Sequence, residues 1–565
     1  MTFDDTLLKT GGFGRYQKLL ILGFIIFYFA NVWQFINLNF LVGSMDHWCR
    51  FDVHDGLNKS YHKELMIPKS INEFAEKTYS KCEMYDVNIT ELVDREGDLG
   101  KMVTHSNWTR VPCRQGWEYD QTVFYSTIVS KYTLVCDRSW LRTIPSMAFV
   151  LGSSFGSIFA GYMSDRWGRK WTVVIMIIGQ MMSNLGETFS PYFWLLVGFR
   201  FLVGICNMGG YSAFWILVIE SMPPKYRTHC TYFGSTLGRI LDFVLPLVAY
   251  FVRNHIHLHL VGVGVAIPGL ICAFVLPESP RWLLSRKQYE EYNTVMHRIA
   301  KINNIEFPED MATDEGLAEE NNNKEVVVQK VSVLNLLRTP RLRQRTLILW
   351  FLWFSRTFIL YAFVLNVGKL VPGNIYLNLA IVSAGSEIPT FITIWFALFK
   401  SGRRLAIMIY ILISGLCCLL MIPLILVNMK LLVTIAAMIA LSTVKTMLRV
   451  LFLYTGEIYP TPARTIGVGS AISISRIAAL IATQLPLLQQ IWFGLPYVCL
   501  STFAIISSVL AYFLPETKNC HLPETFEEAE QFGTPNYRNS DEESVKKSDS
   551  MHLTEPFINA ATSEK

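Results

Sequence analysis

The sequence of 565 residues predicts an all-α membrane protein, with twelve transmembrane helices arranged as two repeated sets of six. Of its residues, 51% are hydrophobic and 17% are charged, whereas soluble proteins carry about 25% charged residues. Apolar runs of about 20 residues recur along the chain, and a helix of that length crosses a bilayer core. Three motifs of the first half also return in the second half at a nearly constant offset.

The apolar runs place the predicted spans, which are numbered in chain order throughout. They cover residues 19–40, 141–163, 171–189, 193–218, 231–252, 257–276, 345–367, 374–399, 404–427, 431–454, 465–488 and 491–514. The first 18 residues are too polar for the apolar core of a cleaved signal peptide, so span 1 is expected to act as a signal anchor. Basic residues gather in "DRWGRK", "PPKYR", "RWLLSRK" and "KSGRR", all on one side. The positive-inside rule makes that side cytosolic, together with both termini.

The segment 44–140, between spans 1 and 2, predicts a glycosylated extracellular loop. It contains four cysteines and three N-x-[ST] acceptor sites: Cys49, Cys82, Cys113 and Cys136, with Asn58, Asn88 and Asn107. Four cysteines outside the cytosol predict two disulfides, and the sequence leaves all three possible pairings open.

The remaining segments complete the domain organisation. We expect a cytosolic N-terminus, a first six-helix bundle, a cytosolic loop with amphipathic helices, a second bundle and a largely disordered cytosolic tail. Their predicted bounds are 1–18, 19–276, 277–343, 344–514 and 515–565.

The repeat between the halves is carried by short motifs. "GRK" at 168–170 returns as "GRR" at 402–404, an offset of 234. Glu220 in "ESMPPKYR" matches Glu457 in "EIYPTPAR" at an offset of 237, and Glu278 in "LPESPRW" matches Glu516 in "LPETKN" at 238. Each motif follows the end of an even-numbered span. Two parallel repeats of six helices are the construction of the major facilitator fold.

These motifs also resemble a known family. "GYMSDRWGRK" is similar to the signature between spans 2 and 3 of the major facilitator superfamily, and "PESPRWLL", "GEIYPTPAR" and "PETK" are similar to its sugar-porter and organic-ion branches. "GGFGRYQ", "DHWCR", "STIVSKYTLVCD" and the long cysteine-bearing loop resemble the organic-ion transporters of solute carrier family 22, over residues 11 to about 530. The resemblance implies a secondary active or facilitative transporter of the plasma membrane, and not an enzyme.

The resemblance further implies that the cytosolic motifs form a gate. Its expected members are Asp165, Arg166, Arg169, Glu220, Arg227, Glu278, Arg281, Arg403, Glu457 and Arg464. Ion pairs between the halves would keep the cytosolic side closed while the substrate pocket faces outward. The alternative is that these residues only attach helix ends to lipid headgroups. "FKSGRR" has no acid where the first half has Asp165, so the second gate is expected to be weaker.

One charge stands inside an apolar helix. Arg476, in "ISISRIAAL" of span 11, costs roughly 2.5–3.5 kcal/mol at a helix centre, and some interaction must offset this cost. Cation transporters of the resembled family typically have Asp at this position, whereas anion and carnitine-type transporters have Arg. The resemblance therefore implies a substrate with an anionic group. The alternative is a permanent salt bridge to Glu387 of span 8 or Asp242 of span 5.

Further pocket residues follow from the same resemblance. Glu387 matches an acid of the cation and carnitine-type members, and Tyr361 stands where the family commonly has a pocket tyrosine. Lys445 departs from the family pattern, so it either binds substrate or pairs with Glu387 or Asp242. Bases outnumber acids inside the spans, with Arg239, Arg356, Lys445, Arg449 and Arg476 against Asp242 and Glu387. An organic anion is thus the expected substrate, with a carnitine-like zwitterion or an organic cation as alternatives.

Other classes of function find little support. The net charge of +5 fits basic cytosolic loops better than nucleic-acid binding, and "GSSFG" in span 2 lacks the GK[ST] of a phosphate loop. It is instead typical of close helix packing. We expect no metal and no cofactor apart from a coupling ion, H+ or Na+. The expected partners are a small organic ion and the bilayer, with a monomer or weak oligomer. A non-transporting receptor or scaffold is the alternative class.

Overall fold

The computed structural model describes most of the chain. The described residues are 6–8, 10–43, 45–51, 59–71, 77–87, 108–223, 226, 241–305, 332–399, 402–489, 491–518, 523 and 525–532. The predicted glycosylation sites Asn58, Asn88 and Asn107, together with Arg227 and Arg239, lie outside them.

The described chain is mainly helical. Its α-helices are Arg15–Ile36, Leu38–Leu41, Lys59–Met66, Ile128–Lys131, Ile144–Trp167, Arg169–Thr188, Phe193–Glu220, Val244–Phe251, His255–Val275, Pro280–Ser285, Tyr289–Asn303, Val333–Leu336, Pro340–Leu370, Ile375–Leu379, Glu387–Phe399, Arg403–Leu426, Lys430–Ile458, Arg464–Ala482, Leu485–Leu488, Leu495–Tyr512 and Phe526–Gln531. Within the described part, ten helical segments are long and apolar enough to cross a membrane. They correspond to every predicted span except 3 and 5.

The two remaining spans have separate explanations. Span 3 is the helix Arg169–Thr188, which contains several polar residues and packs against spans 4 and 6. Span 5 is described only from residue 241 onward, where it forms the helix Val244–Phe251. The total of twelve spans therefore stays a prediction.

Two spans depart from regular α-helix. Span 7 contains Asn366 with φ −130° and ψ 20°, which is outside the helical region. Span 8 begins as the helix Ile375–Leu379, passes through a π-helical turn at Ala380–Gly385 and continues as Glu387–Phe399. π-Turns are rare and are found frequently at functional sites.

The loop between spans 1 and 2 folds around three short antiparallel strand pairs. They are His47–Cys49 with Trp117–Tyr119, Lys69–Ile71 with Lys77–Tyr79, and Glu83–Tyr85 with Arg110–Pro112. Its disulfides join Cys49 to Cys113 and Cys82 to Cys136, which selects one of the three pairings left open by the sequence. Cys136 also begins the 3-10 helix that leads into span 2, so the second disulfide fixes the loop to that span.

We call the end of the bundle that carries this loop the loop side, and the opposite end the terminal side. The two halves meet at the loop side. The Asn39 amide donates to the Val364 carbonyl oxygen at 2.8 Å, and the Tyr376 hydroxyl donates to the Val123 carbonyl oxygen at 2.9 Å. The Tyr376 ring stacks on Phe40 with centroids 5.5 Å apart. A cavity of about 440 Å³ lies between both halves and the loop.

The predicted tail begins with ordered structure at the terminal side. The short helix Phe526–Gln531 packs against the start of span 7, where the buried Arg345 donates to the carbonyl oxygens of Ala529 and Phe532 at 2.6 and 2.7 Å. Glu530 accepts from two backbone N–H groups at the beginning of the span-7 helix. Residues from 533 onward lie outside the description.

Spans 2 and 4 approach each other at glycines, as "GSSFG" predicts. A Cβ atom at Gly152 or Gly156 would overlap the carbonyl oxygen of Phe201 or Ile205 in span 4. The absence of side chains therefore allows backbone-to-backbone contact between these two helices.

Gly156→Val should destabilise the protein because the added side chain would force the two helices apart. Overpacking of this kind costs about 1–3 kcal/mol. Gly161→Val, on the same helix, is the matched control, since a Cβ there meets no atom within 4 Å. Thermal unfolding of the two purified variants in detergent should show a lower midpoint for Gly156→Val alone. Equal midpoints would contradict this account of the packing.

Candidate functional site

A buried ion pair joins spans 8 and 10. The Lys445 Nζ lies 2.5 Å from Glu387 Oε1 and 2.7 Å from the Ser386 hydroxyl. Both charged side chains are nearly inaccessible, at 6% and 3% exposure. The pair follows directly after the π-helical turn of span 8, so that turn sets the direction in which Glu387 leaves the helix. Of the two roles expected for Lys445, the structure shows the ion pair.

Arg476 stands apart from this pair. Its Nη1 lies 3.5 Å from the Tyr361 hydroxyl, and the side chain is half-buried. Its Nε is buried and has no hydrogen-bond partner among the described residues. No described carboxylate lies within 4.0 Å of the guanidinium, so the alternative of a permanent salt bridge to Glu387 or Asp242 is not observed.

Arg476 lies where the two halves meet. Tyr361, its neighbour, belongs to span 7 and packs edge to face on Phe35 of span 1 with ring centroids 5.3 Å apart. The tyrosine that faces the guanidinium is therefore itself in contact with a helix of the other half. Alternating-access transporters place substrate sites at this kind of interface between repeats.

Two other predicted intramembrane charges are also buried in the bundle. Asp242 is 7% exposed at the beginning of the described part of span 5. Arg356, in span 7, is 5% exposed and donates from Nε to the Val444 carbonyl oxygen at 3.4 Å. This contact places Arg356 one residue from Lys445 along span 10, so several bases line one region of the second half.

At the terminal side, the first-half motifs form a network around Arg169. Its Nε lies 3.0 Å from Glu220, and its Nη1 lies 3.1 Å from the exposed Asp165. Glu278 accepts from the backbone N–H groups of Arg169 and Lys170 at 2.8 and 3.0 Å. Burial raises the pKa of the Glu278 carboxyl, although these N–H groups oppose the shift.

The second half repeats this network with one member missing. Arg403 lies 3.8 Å from Glu457, and Glu516 accepts from the Arg403 backbone N–H at 2.8 Å. Even the hydroxyl partner recurs, because Thr517 donates to Glu457 as Ser279 donates to Glu220, both at 2.5 Å. Arg403 has one acidic partner where Arg169 has two, as expected from "FKSGRR".

The expected ion pairs between the halves are not seen among the described residues. Each acid instead binds a guanidinium or N–H groups of its own half, while the halves contact each other at the loop side. The other expected gate residues lie apart from the networks. Arg166 is exposed and donates to the Tyr162 hydroxyl at 3.2 Å, Arg281 is exposed, and Arg464 is half-buried. A gating role for all of them stays a prediction.

A second buried charge pair, Glu187 with Arg200 in the first half, was not predicted from the sequence. The signal was available, since an acid near the end of predicted span 3 and a base near the start of span 4 must lie at the same membrane face. One group of possible metal ligands exists among the described residues, His47 with Cys82 and Cys136. The two cysteines are bonded to each other, so this group offers no thiolate.

Comparison with solved structures identifies the architecture. The inward-open xylose transporter XylE of E. coli matches with a TM-score of 0.56 at 17% identity, covering 70% of this chain and 90% of that protein. Its partially occluded inward-open form matches with a TM-score of 0.57 at 14% identity, covering 90% and 99%. The fold is therefore that of the major facilitator superfamily.

Sequence comparison identifies the family. The family described as "Sugar (and other) transporter" matches residues 102–530. The carcinine transporter of Drosophila melanogaster is 30% identical over 94% of this chain and 79% of its own length. The β-alanine transporter of D. melanogaster is 28% identical, covering 94% and 89%. The organic cation/carnitine transporter 2 of Homo sapiens is also 28% identical, covering 93% of each chain.

Fold and site together define a helical membrane transporter rather than an enzyme. The chain belongs to the sugar (and other) transporter family, and its relatives include members of solute carrier family 22. The predicted family is thus confirmed.

Lys445→Met should destabilise the protein strongly, because it leaves the Glu387 carboxylate buried without its ammonium partner. Breaking a buried pair costs on the order of 3–5 kcal/mol. The double variant Lys445→Met/Glu387→Gln should recover much of the loss, since it buries no net charge. Thermal midpoints of both variants and of Glu387→Gln form the double-mutant cycle. Additive effects would show that the pair is not a unit.

Proposed function

We propose that this protein carries organic anions across the plasma membrane by alternating access, with Arg476 binding the anionic group of the substrate. The observation that carries the proposal is the contrast between two charges. Glu387 is neutralised by Lys445 at 2.5 Å, whereas Arg476 has no carboxylate partner among the described residues. A cation in a low-dielectric bundle is costly unless an anion compensates it.

The chemistry of Arg476 suits a carboxylate, sulfate or sulfonate. A guanidinium presents a planar set of donors that matches such oxygens in pairs, and its Nε is available for one of them. Tyr361 lies beside it and contributes a hydroxyl and an aromatic face to the same region. Pockets of this type hold organic ions through apolar contacts with a few polar anchors.

A zwitterionic substrate is the second candidate, and the relatives favour it. One relative is named as a β-alanine transporter and another as a cation/carnitine transporter. β-Alanine and carnitine both contain a carboxylate, which Arg476 would bind in the same way. Their cationic ends would need an acid, and Glu387 would have to exchange Lys445 for the substrate. An organic anion needs no such exchange.

Replacement of Arg476 tests the proposal. Wild-type protein should take up carboxylates and sulfonates in transfected cells, and Arg476→Gln should raise their KM roughly 10- to 100-fold, as expected for a lost charge-assisted pair. Arg476→Lys, which keeps the charge without the planar fork, should fall between the two. Uptake of quaternary ammonium compounds without an acid group, and not of anions, would contradict the anion assignment. A wild-type protein that transports nothing in a broad panel would favour the receptor or scaffold alternative.

For the transport cycle, we propose that the loop side is extracellular and the terminal side cytosolic. The networks around Arg169 and Arg403 would then hold the cytosolic ends of the spans together within each half. Each half could move as a unit while contacts at the loop side form and break.

The two networks predict different sensitivities. Arg169→Gln removes two ion pairs, at 3.0 and 3.1 Å, while Arg403→Gln removes one at 3.8 Å. The maximal uptake rate, corrected for the amount of protein at the cell surface, should therefore fall further for Arg169→Gln. An equal or reversed order would show that the networks do not limit the cycle in the way their geometry indicates.

A further inference from the structure

A second polar cluster lies inside the first half, near the loop side. Arg200 Nη1 is 3.1 Å from Glu187 Oε2, and neither side chain has any exposed surface. Arg200 Nη2 also donates to the Gln34 carbonyl oxygen at 2.8 Å. Span 6 contributes His255 and His259, which lie one helical turn apart and are 6% and 2% exposed.

Only one oxygen of Glu187 is used by Arg200. The other, Oε1, faces His259 Nε2 at 3.7 Å, which is longer than a hydrogen bond. Oε1 and both ring nitrogens of His259 have no hydrogen-bond partner among the described residues, and the same holds for both ring nitrogens of His255. Buried polar atoms are normally satisfied, so unsatisfied titratable atoms concentrated in one place have free capacity to bind a proton or a water molecule.

We propose that Glu187 and His259 form a proton-binding site through which the protein couples proton movement to transport of its organic anion. The neutral His259 ring, carrying its hydrogen on Nδ1, accepts a proton on the Nε2 lone pair. The new N–H bond then points at Glu187 Oε1, and the proton leaves the same atom on the opposite side of the membrane. The ligand is a proton, and no bond to carbon changes. The inference rests on the proposed function.

The charges around the site explain why proton and anion would travel together. Glu187 compensates Arg200, so a proton on His259 leaves one net positive charge in the cluster. Lys131, which donates to the Thr188 carbonyl oxygen at 3.4 Å, adds a further cation from the loop. Span 1 faces the cluster with the uncharged Gln34, span 2 with a phenylalanine, and span 6 also with His255. An anion bound at Arg476 lowers the positive potential that a proton on His259 meets, and by linkage each ligand then favours the other.

A contiguous set of contacts connects the site to Arg476. The Arg200 guanidinium lies over the Phe149 ring at 5.0 Å, and Phe149 packs on Phe35 with centroids 5.8 Å apart. Phe35 in turn packs on Tyr361, the neighbour of Arg476. These rings belong to the apolar core that joins the two halves. Movement of one half against the other would therefore change the surroundings of both the Glu187–His259 site and Arg476.

Reconstituted full-length protein allows the test, with radiolabelled p-toluenesulfonate as probe because this anion stays ionised at the pH values used. Two assays are needed, with the membrane potential clamped. The first is counterflow at equal pH on both sides, which needs no net proton movement. The second is uptake with the outside about two pH units more acidic, which can accumulate a proton–anion pair up to about 100-fold.

His259→Gln should lose the stimulation by the proton gradient while it retains counterflow, because it leaves the Glu187–Arg200 ion pair in place. His257→Gln is the matched control, since His257 lies on the same helix between the two buried histidines but is exposed. Its stimulation should equal that of the wild type. Stimulation of wild-type size in His259→Gln would overturn the proposal.

A second measurement covers the case in which the variants do not fold. A pH-sensitive dye inside wild-type vesicles should report acidification when the anion is added outside, and its absence would overturn the proposal. Absence of wild-type counterflow would instead contradict the proposed function, so the two failures are distinguishable.

Discussion

A charge inside a bilayer has to be compensated, and this requirement organises the described part of the molecule. Arg200 is compensated by Glu187 and Lys445 by Glu387, each within a few ångströms and away from any exposed surface. Arg476 is the contrasting case, because among the described residues its guanidinium has a tyrosine hydroxyl and no carboxylate beside it. The same physical cost that fixes two pairs is the reason that we propose the third site as the binding site for a substrate anion.

The two halves share a scaffold and differ in what they add to it. At the terminal side, an arginine, two glutamates and a hydroxyl residue recur with matching contacts. The ends of the spans are therefore held together by the same contacts in both halves. Inside the membrane the halves diverge. The first half contains a buried Glu–Arg–His cluster, while the second contains the lysine pair and Arg476. In the proposed transport cycle, the repeated networks hold each half together, and the residues that differ between the halves bind the substrate and the proton.

Sequence reasoning predicted the helices and the repeats well because apolar length and motif spacing are local properties. It also predicted close packing at Gly156 and the weaker second network, which follows from one missing acid. It could not choose a partner for Lys445 or Arg476, because that choice depends on how spans 7, 8, 10 and 11 rotate against one another. The disulfide pairing was open for a similar reason, since the loop brings together strands far apart in the chain.

The Glu187 cluster was overlooked although its residues were visible within predicted spans. No sequence motif marks any of these residues, and only the packing of spans 3, 4 and 6 brings them close together. For the networks at the terminal side, the sequence identified residues but not their partners. Six of the expected residues lie in these networks, namely Asp165, Arg169, Glu220, Glu278, Arg403 and Glu457. The expected direction of pairing, from one half to the other, is not what the described residues show.

The π-helical turn of span 8 offers a way for Glu387 to move away from Lys445. Such a turn contains one residue more than an α-turn, and each residue of an α-helix corresponds to about 100° of rotation. If the turn at Ala380–Gly385 changed to α-helical pitch, the screw of span 8 would tighten and Glu387 would swing away from Lys445 by about a quarter of a revolution. A change between π-helical and α-helical pitch would therefore rotate Glu387 by one fixed step and separate it from Lys445.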